Sequence, residues 1–137
     1  MVETHIHTMF MTSPPDDVNR VHELLEQVWD EAPTIPMMDR FGFETALVEL
    51  AANIFRHADD GSGLECTVRV ETGEGRIVAM LTDSGLKGNI YLGDSDMPDE
   101  MEEKGRGLLL IKALVDELHY ERQGEVNRWR ISKKLQP

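Results

Sequence analysis

Positive charge is scarce in this 137-residue sequence. Only 14 Lys and Arg stand against 26 Asp and Glu, for a formal net charge of -12. Such a field repels a phosphate backbone, so a nucleic-acid-binding role is set aside. The acidic balance suits a protein that meets a basic partner, or one that simply stays soluble. Cysteine is nearly absent: Cys66 alone forms no intrachain disulfide, which agrees with a reducing compartment. No apolar run approaches the roughly 20 residues that cross a bilayer, and no charged-then-apolar leader opens the chain. The expectation is a cytoplasmic protein with no membrane role. Repeats and low-complexity linkers are missing too. Aromatics are few, at 6%, but apolar residues reach an ordinary 40%, so a folded domain is favoured over disorder. The length fits one domain over residues 1–137, two layers thick, with little room for a second unit.

What is present reads as alternating elements. Residues 4–11, THIHTMFM, form a first strand. Ser13 can cap the helix that follows, Pro14 suits its first position, and Asp16 completes a capping pattern. Val18, Val21, Leu25 and Val28 recur at helical spacing and carry that helix to about residue 31. Pro33 and Pro36 break it. A second helix spans about 39–58, with Phe43, Leu47, Leu50 and Ile54 on one face. Leu64, Cys66, Val68 and Val70 alternate with polar residues in a half-buried strand, so Cys66 points to the core as a small hydrophobe. Residues 72–75 make a hairpin turn, and Ile77 to Leu81 an apolar strand ending at Thr82-Asp83. Residues 84–104 show no apolar period. A loop of about twenty residues in a small domain is usually functional. An apolar helix over 108–117 and two strands, 118–122 and 126–135, close the chain. Consecutive hairpins predict an α+β fold: a two-layer sandwich with a mixed, mostly antiparallel sheet and helices on one face.

Three polar clusters interrupt this scheme. In ELAANIFRH, Glu49, Asn53 and His57 fall on one helical stripe beside the core face. A carboxylate and a carboxamide one turn apart can hold a hard cation and accept a proton. Equally, they can be a surface pair, with His57 a favourable cation at a helix C-terminus. Asp83-Ser84-Gly85 follows a buried strand. The carboxylate there can accept from a ligand's exocyclic amine, with Gly85 letting backbone approach a flat ring; a plain turn reads the same way. Gly105-Arg106-Gly107 precedes an apolar helix, where free N–H groups favour an anion and Lys104 and Arg106 add positive charge. A flexible helix entry is the alternative.

Taken in order, the three clusters resemble the boxes of the GHKL (Bergerat-fold) ATPase superfamily. Glu49…Asn53 is similar to its N box, Asp83-Ser84-Gly85 to its first glycine box, and Gly105-Arg106-Gly107-Leu108 to its second. Within it, GRGLLLIKALVDEL and the Lys-Lys-Leu ending resemble the small anti-sigma-factor serine kinases, the RsbW-like switch proteins. The resemblance implies the Bergerat ATP-binding fold and ATP with Mg²⁺ as the ligand. It implies Asn53 as the Mg²⁺ ligand, Glu49 as the general base and Asp83 as the reader of the adenine amine, with Gly85 flanking the base. Lys104, Gly105, Arg106, Gly107 and the Leu108 backbone would contact phosphates, and residues 84–104 would form an ATP lid. The implied activity is an ATP-dependent protein serine/threonine kinase of a partner-switching system. It would phosphorylate a STAS-domain anti-anti-sigma-like protein, with a sigma factor as competing partner and a homodimer as the assembly.

The sequence departs from the family's Asp-x-Gly-x-Gly: Lys87 takes the second glycine position and Gly88 comes one later. The lid is also acidic, with Asp94, Asp96, Asp99, Glu100, Glu102 and Glu103. These departures keep open a nucleotide-binding, sequestering module of the same fold without phosphotransfer. A detached histidine-kinase catalytic domain is a further alternative. His5 and His7 share a strand face and read as a metal pair or an exposed strand, Trp29 and Trp129 as packing anchors, and Arg20 and Glu23 as a partner surface or a solvated helix face.

Overall fold

The computed structural model describes residues 4–13, 16–57, 63–85 and 102–135. Eight elements follow in order: β1 (His5–Ser13), α1 (Val18–Glu31), α2 (Met37–His57), β2 (Leu64–Gly73), β3 (Arg76–Asp83), α3 (Glu102–Leu114), β4 (Glu117–Gln123) and β5 (Val126–Lys134). The strands form one sheet in the order β1-β2-β3-β5-β4. Among the described residues every pairing is antiparallel.

Side-chain alternation in β2 sets the two faces. Leu64, Cys66, Val68 and Val70 are buried, and the register places Met11 of β1 and Leu81 of β3 on that same face. Onto it the helices lay Val21, Leu25, Phe43, Leu47, Leu50 and Ile111, all at most 1% exposed. Residues of the intervening positions, such as Ile6, Phe10 and Met80, stay exposed on the far face. The result is the expected α+β sandwich of one sheet and one helical layer.

Turn chemistry closes the hairpins. Gly73 pairs with Arg76 across a two-residue turn in which Glu74 (φ 53) and Gly75 (φ 75) both have positive φ, as a type I′ hairpin requires. Gln123 pairs with Val126, and Gly124 (φ 63) supplies the positive φ there.

Three boundaries differ from the sequence reading. Ser13 does not cap α1; it pairs with Leu64 as β1 runs two residues further, and Asp17 caps instead, its side chain accepting from Asn19 N at 2.9 Å. Ladder bonds to β2 outweigh one cap bond. Pro14 lies outside the described residues. The last helix ends at Leu114 and not near 117, because Asp116 N bonds Ser132 O and Glu117 already pairs with Ser132. It also begins at Glu102, six residues before the expected Leu108.

No helix among the described residues is long and apolar enough to cross a membrane. No group of three His, Cys, Asp or Glu among them has an arrangement for a metal. His7 Nε2 and His5 Nδ1 both face Glu31 Oε2, at 2.9 and 3.5 Å. Arg20 turns to Asp16 (3.1 Å), just ahead of α1, and to Glu23 (3.8 Å) on its own helix. Cys66 and Trp129 are buried, as a core thiol and a packing ring.

Candidate functional site

The polar stripe of α2 lies at the edge of the helical layer. Asn53 is only 7% exposed, while the Glu49 side chain is 30% exposed. Their spacing of one turn puts both next to α3, where Gly107 approaches them. A Cβ built on Gly107 would sit 2.5 Å from Glu49 Oε1 and 2.8 Å from Asn53 Nδ2, closer than any real Cβ comes. Glycine at 107 is therefore what lets the two polar side chains occupy their places. The sequence brought the Gly box and the N box together only by resemblance; here they touch.

Arg56 joins this group and was not foreseen, although its position three residues after Asn53 puts it on the same helix face. Its Nη2 donates to Asn53 Oδ1 at 2.5 Å and lies 3.5 Å from Glu49 Oε1. A guanidinium thus rests on the two oxygens that a cation would seek. Asn53 Nδ2, in contrast, is buried without a partner. The side chain of His57 lies outside the described residues.

Lys104, Gly105, Arg106, Gly107 and Leu108 lie inside α3, not ahead of it. An α-helix leaves the N–H groups of its N-cap and first three residues unbonded, which in α3 includes residues 102–104. From Gly105 onward the amides belong to the helical ladder, and Gly107 has a steric role beside Glu49 and Asn53. Leu108 is 5% exposed and packs in the core. Most of the expected lid, residues 86–101 with Lys87 and Gly88, lies outside the described residues.

The second half of the site is at the end of β3. Asp83 is 2% exposed, and its Oδ1 accepts from Gly85 N at 2.9 Å and from Asn127 Nδ2 at 2.8 Å. Asp83 Oδ2 is buried with no partner. Asn127 and, beside it, Arg122 were missed by sequence reading. They come from the closing hairpin: Asn127 reaches Asp83 only through the pairing of β5 with β3, where the two are direct partners, and Arg122 bonds Asn127 Oδ1 and Gly85 O. No local pattern announces a contact across 44 residues.

A third cluster flanks Glu49. Glu44 accepts from Trp29 Nε1 at 2.9 Å and sits 2.9 Å from His22 Nδ1, pinning α1 to α2. Beside it a groove of about 470 Å³, lined by Trp29, Phe41, Val48 and Glu49 among others, opens to solvent.

Of the buried polar atoms without hydrogen-bond partners among the described residues, Asn53 Nδ2 and Asp83 Oδ2 belong to this site and leave hydrogen bonding for a ligand to complete; His7 Nε2 and Trp129 Nε1 lie elsewhere. An adenine nucleotide with Mg²⁺ fits that donor set. A carboxylate oxygen suits an exocyclic amine, and the Asn53 carboxamide with Glu49 suits a hard cation and its phosphates once Arg56 moves aside.

Comparisons with known proteins bear on the fold. A search of curated proteins finds no match. Among solved structures, the chain is similar to the histidine kinase domain of the Erythrobacter litoralis EL346 blue-light activated histidine kinase. The TM-score is 0.59 at 13% identity, over 86% of this chain and 60% of that one, so the chain spans well under two thirds of it. It is also similar to the Acinetobacter baumannii histidine kinase AdeS, with a TM-score of 0.52 at 18% identity, over 97% of this chain and 70% of that one. At such identities the likeness speaks for the fold alone. The sequence itself matches the family described as "Histidine kinase-like ATPase domain" over residues 11–133. That match covers all three boxes and every element but most of β1, and with it the chain belongs to the histidine kinase-like ATPase domain family, a GHKL-type ATP-binding module.

Proposed function

We propose that the protein is an ATP-dependent protein serine/threonine kinase acting as an anti-sigma-type switch, with a STAS-domain protein as its substrate. The observation that carries the reading is the close approach of Gly107 to Glu49 and Asn53, with Glu49 also lining a groove open to solvent. A protein hydroxyl entering by that groove reaches a carboxylate that is only partly buried. Glu49 takes the hydroxyl proton as the acceptor oxygen bonds to the γ-phosphorus and the bridging P–O bond to ADP breaks. Mg²⁺, when bound, supplies charge neutralisation on the phosphates. Asn53 would hold it, and Asp83 with Gly85 would orient the base. A sigma factor as competing partner and a homodimer belong to the same proposal and rest on the resemblance of the boxes and of the C-terminal segment.

A second reading has its own observation. Arg56 occupies the Asn53 and Glu49 oxygens, which suits a module that binds nucleotide without transferring phosphate. Labelled ATP·Mg²⁺ incubated with a STAS-domain protein encoded beside this chain's gene separates the two. Transfer that falls about 100-fold or more in Glu49→Gln, with ATP affinity kept, supports the kinase. ATP binding without any transfer by the wild type overturns it in favour of the binding module.

A further inference from the structure

The hydrogen bonds behind Asp83 have a fixed direction. Arg122 Nη1 lies 2.9 Å from Asn127 Oδ1 and Tyr120 Oη 2.5 Å from the same atom. A tyrosine hydroxyl serves either end of an amide, but a guanidinium only donates. Arg122 therefore forces the amide oxygen toward itself and turns Asn127 Nδ2 toward Asp83 Oδ1, at 2.8 Å. The same Nη1 donates to Gly85 O at 3.0 Å, and Asn127 Nδ2 lies 3.3 Å from that carbonyl. Both the carboxylate and the first residues of the loop after it are thus held by one side chain of β4.

The consequence falls on Asp83. Its Oδ1 takes two donors, from Asn127 and Gly85, and its Oδ2 takes none. The two donors on one oxygen fix the plane of the carboxylate, so the oxygen they leave open keeps one direction. Were the Asn127 amide to flip, its oxygen would face Asp83 Oδ1 and the two acceptors would repel. Arg122 adds to the barrier against the flip by donating to Asn127 Oδ1, although it lies on the edge strand and outside all three sequence boxes.

We propose that Arg122, acting through Asn127 and the Gly85 carbonyl, is a positioning residue that aims Asp83 Oδ2 at an N–H donor of the bound base and so sets the preference for a 6-amino over a 6-oxo purine. The proposal rests on the reading that this site binds ATP. An aimed acceptor oxygen gains a hydrogen bond from an exocyclic amine and meets lone-pair repulsion from a 6-oxo group. A carboxylate free to turn loses much of that contrast.

The test is calorimetric titration of the full chain with ATP and with inosine triphosphate, each with Mg²⁺. Arg122→Met keeps the aliphatic stem on a half-buried edge position and removes the donors. It is expected to raise the ATP Kd about ten-fold, the order of one lost charge-assisted interaction, and to leave the inosine triphosphate Kd within about two-fold. Asn127→Asp keeps the acceptor for Arg122 and Tyr120 and the side-chain shape, but puts an acceptor against Asp83. It is expected to lower the ATP preference as well, and it decides the matter if Arg122→Met does not fold. Equal weakening of both nucleotides, or unchanged ATP binding in the variants, overturns the proposal and leaves the ATP reading standing. A wild-type chain that binds neither nucleotide overturns the ATP reading and this one with it.

Discussion

Gly107→Ala separates stability from function in a way that depends on one distance. Gly107 lies within α3, with no positive φ to accommodate. In an ordinary helix interior, alanine is better than glycine by about 1 kcal/mol. Here the new methyl would fall 2.5 Å from Glu49 Oε1 and 2.8 Å from Asn53 Nδ2. Both atoms end flexible side chains. Glu49, at 30% exposure, has solvent to turn into, for about 0.5–1.5 kcal/mol of rotamer cost. Asn53, at 7%, has less room. Gain and cost nearly cancel, so urea unfolding is expected to place the variant within about 1 kcal/mol of wild type. Activity has no such compensation. With Glu49 and Asn53 in their proposed roles of base and metal ligand, a displacement of about 1 Å costs roughly 100-fold in rate. The assays are urea denaturation and turnover of ATP·Mg²⁺. A variant stabilised by the full helix-propensity gain, with turnover unchanged, would show that Gly107 does not hold the Glu49–Asn53 pair in place, and the reasoning would fail.

Two further outcomes are expected. Burial first, and the Asp83 carboxylate second, push the Cys66 thiol up to about 12. The folded chain should therefore resist iodoacetamide at pH 8.5 while the urea-unfolded chain reacts rapidly. Between about 9 and 12 the unfolded thiol loses its proton and the folded one keeps it, so stability falls as pH rises through that window, and Cys66→Ala should flatten the slope of the urea midpoint. Glu44→Ala removes the acceptor of Trp29 Nε1 and the partner of His22. Because the Glu44 side chain is one-third exposed, water makes up part of the loss, and the urea midpoint should drop by about 1 kcal/mol, with a shifted Trp29 emission. Unchanged emission and midpoint would show that Glu44 does not clamp α1 to α2.

Much of the fold was legible because alternation and helical spacing are local. Val68 and Val70 announced a half-buried strand, and Phe43, Leu47, Leu50 and Ile54 announced the buried face of α2. Ser13 misled because capping chemistry is local while strand extension is decided by a partner fifty residues away, Leu64. Glu49 and Asn53 were legible as a pair, but their burial and their contact with Gly107 belong to helix packing. The start of α3 was misplaced because glycines at 105 and 107 read as a helix entry, although a helix tolerates them at about 1 kcal/mol each. Arg56 was within reach of helical spacing. Asn127 and Arg122 were not, since nothing near them in sequence refers to Asp83.

The pairing of Asp83 with Asn127 also has a meaning for synthesis. β3 lies between β2 and β5, so one side of its ladder finds a partner at once and the other only after the closing hairpin is made. The Asp83–Asn127 bond spans 44 residues. At the ordinary pace of translation, about 5–20 residues per second, roughly 2–9 s separate the emergence of the two. For that interval a strand that ends up in the middle of the sheet is an open edge at the ribosome, with Val78, Met80 and Thr82 beside an unfilled ladder.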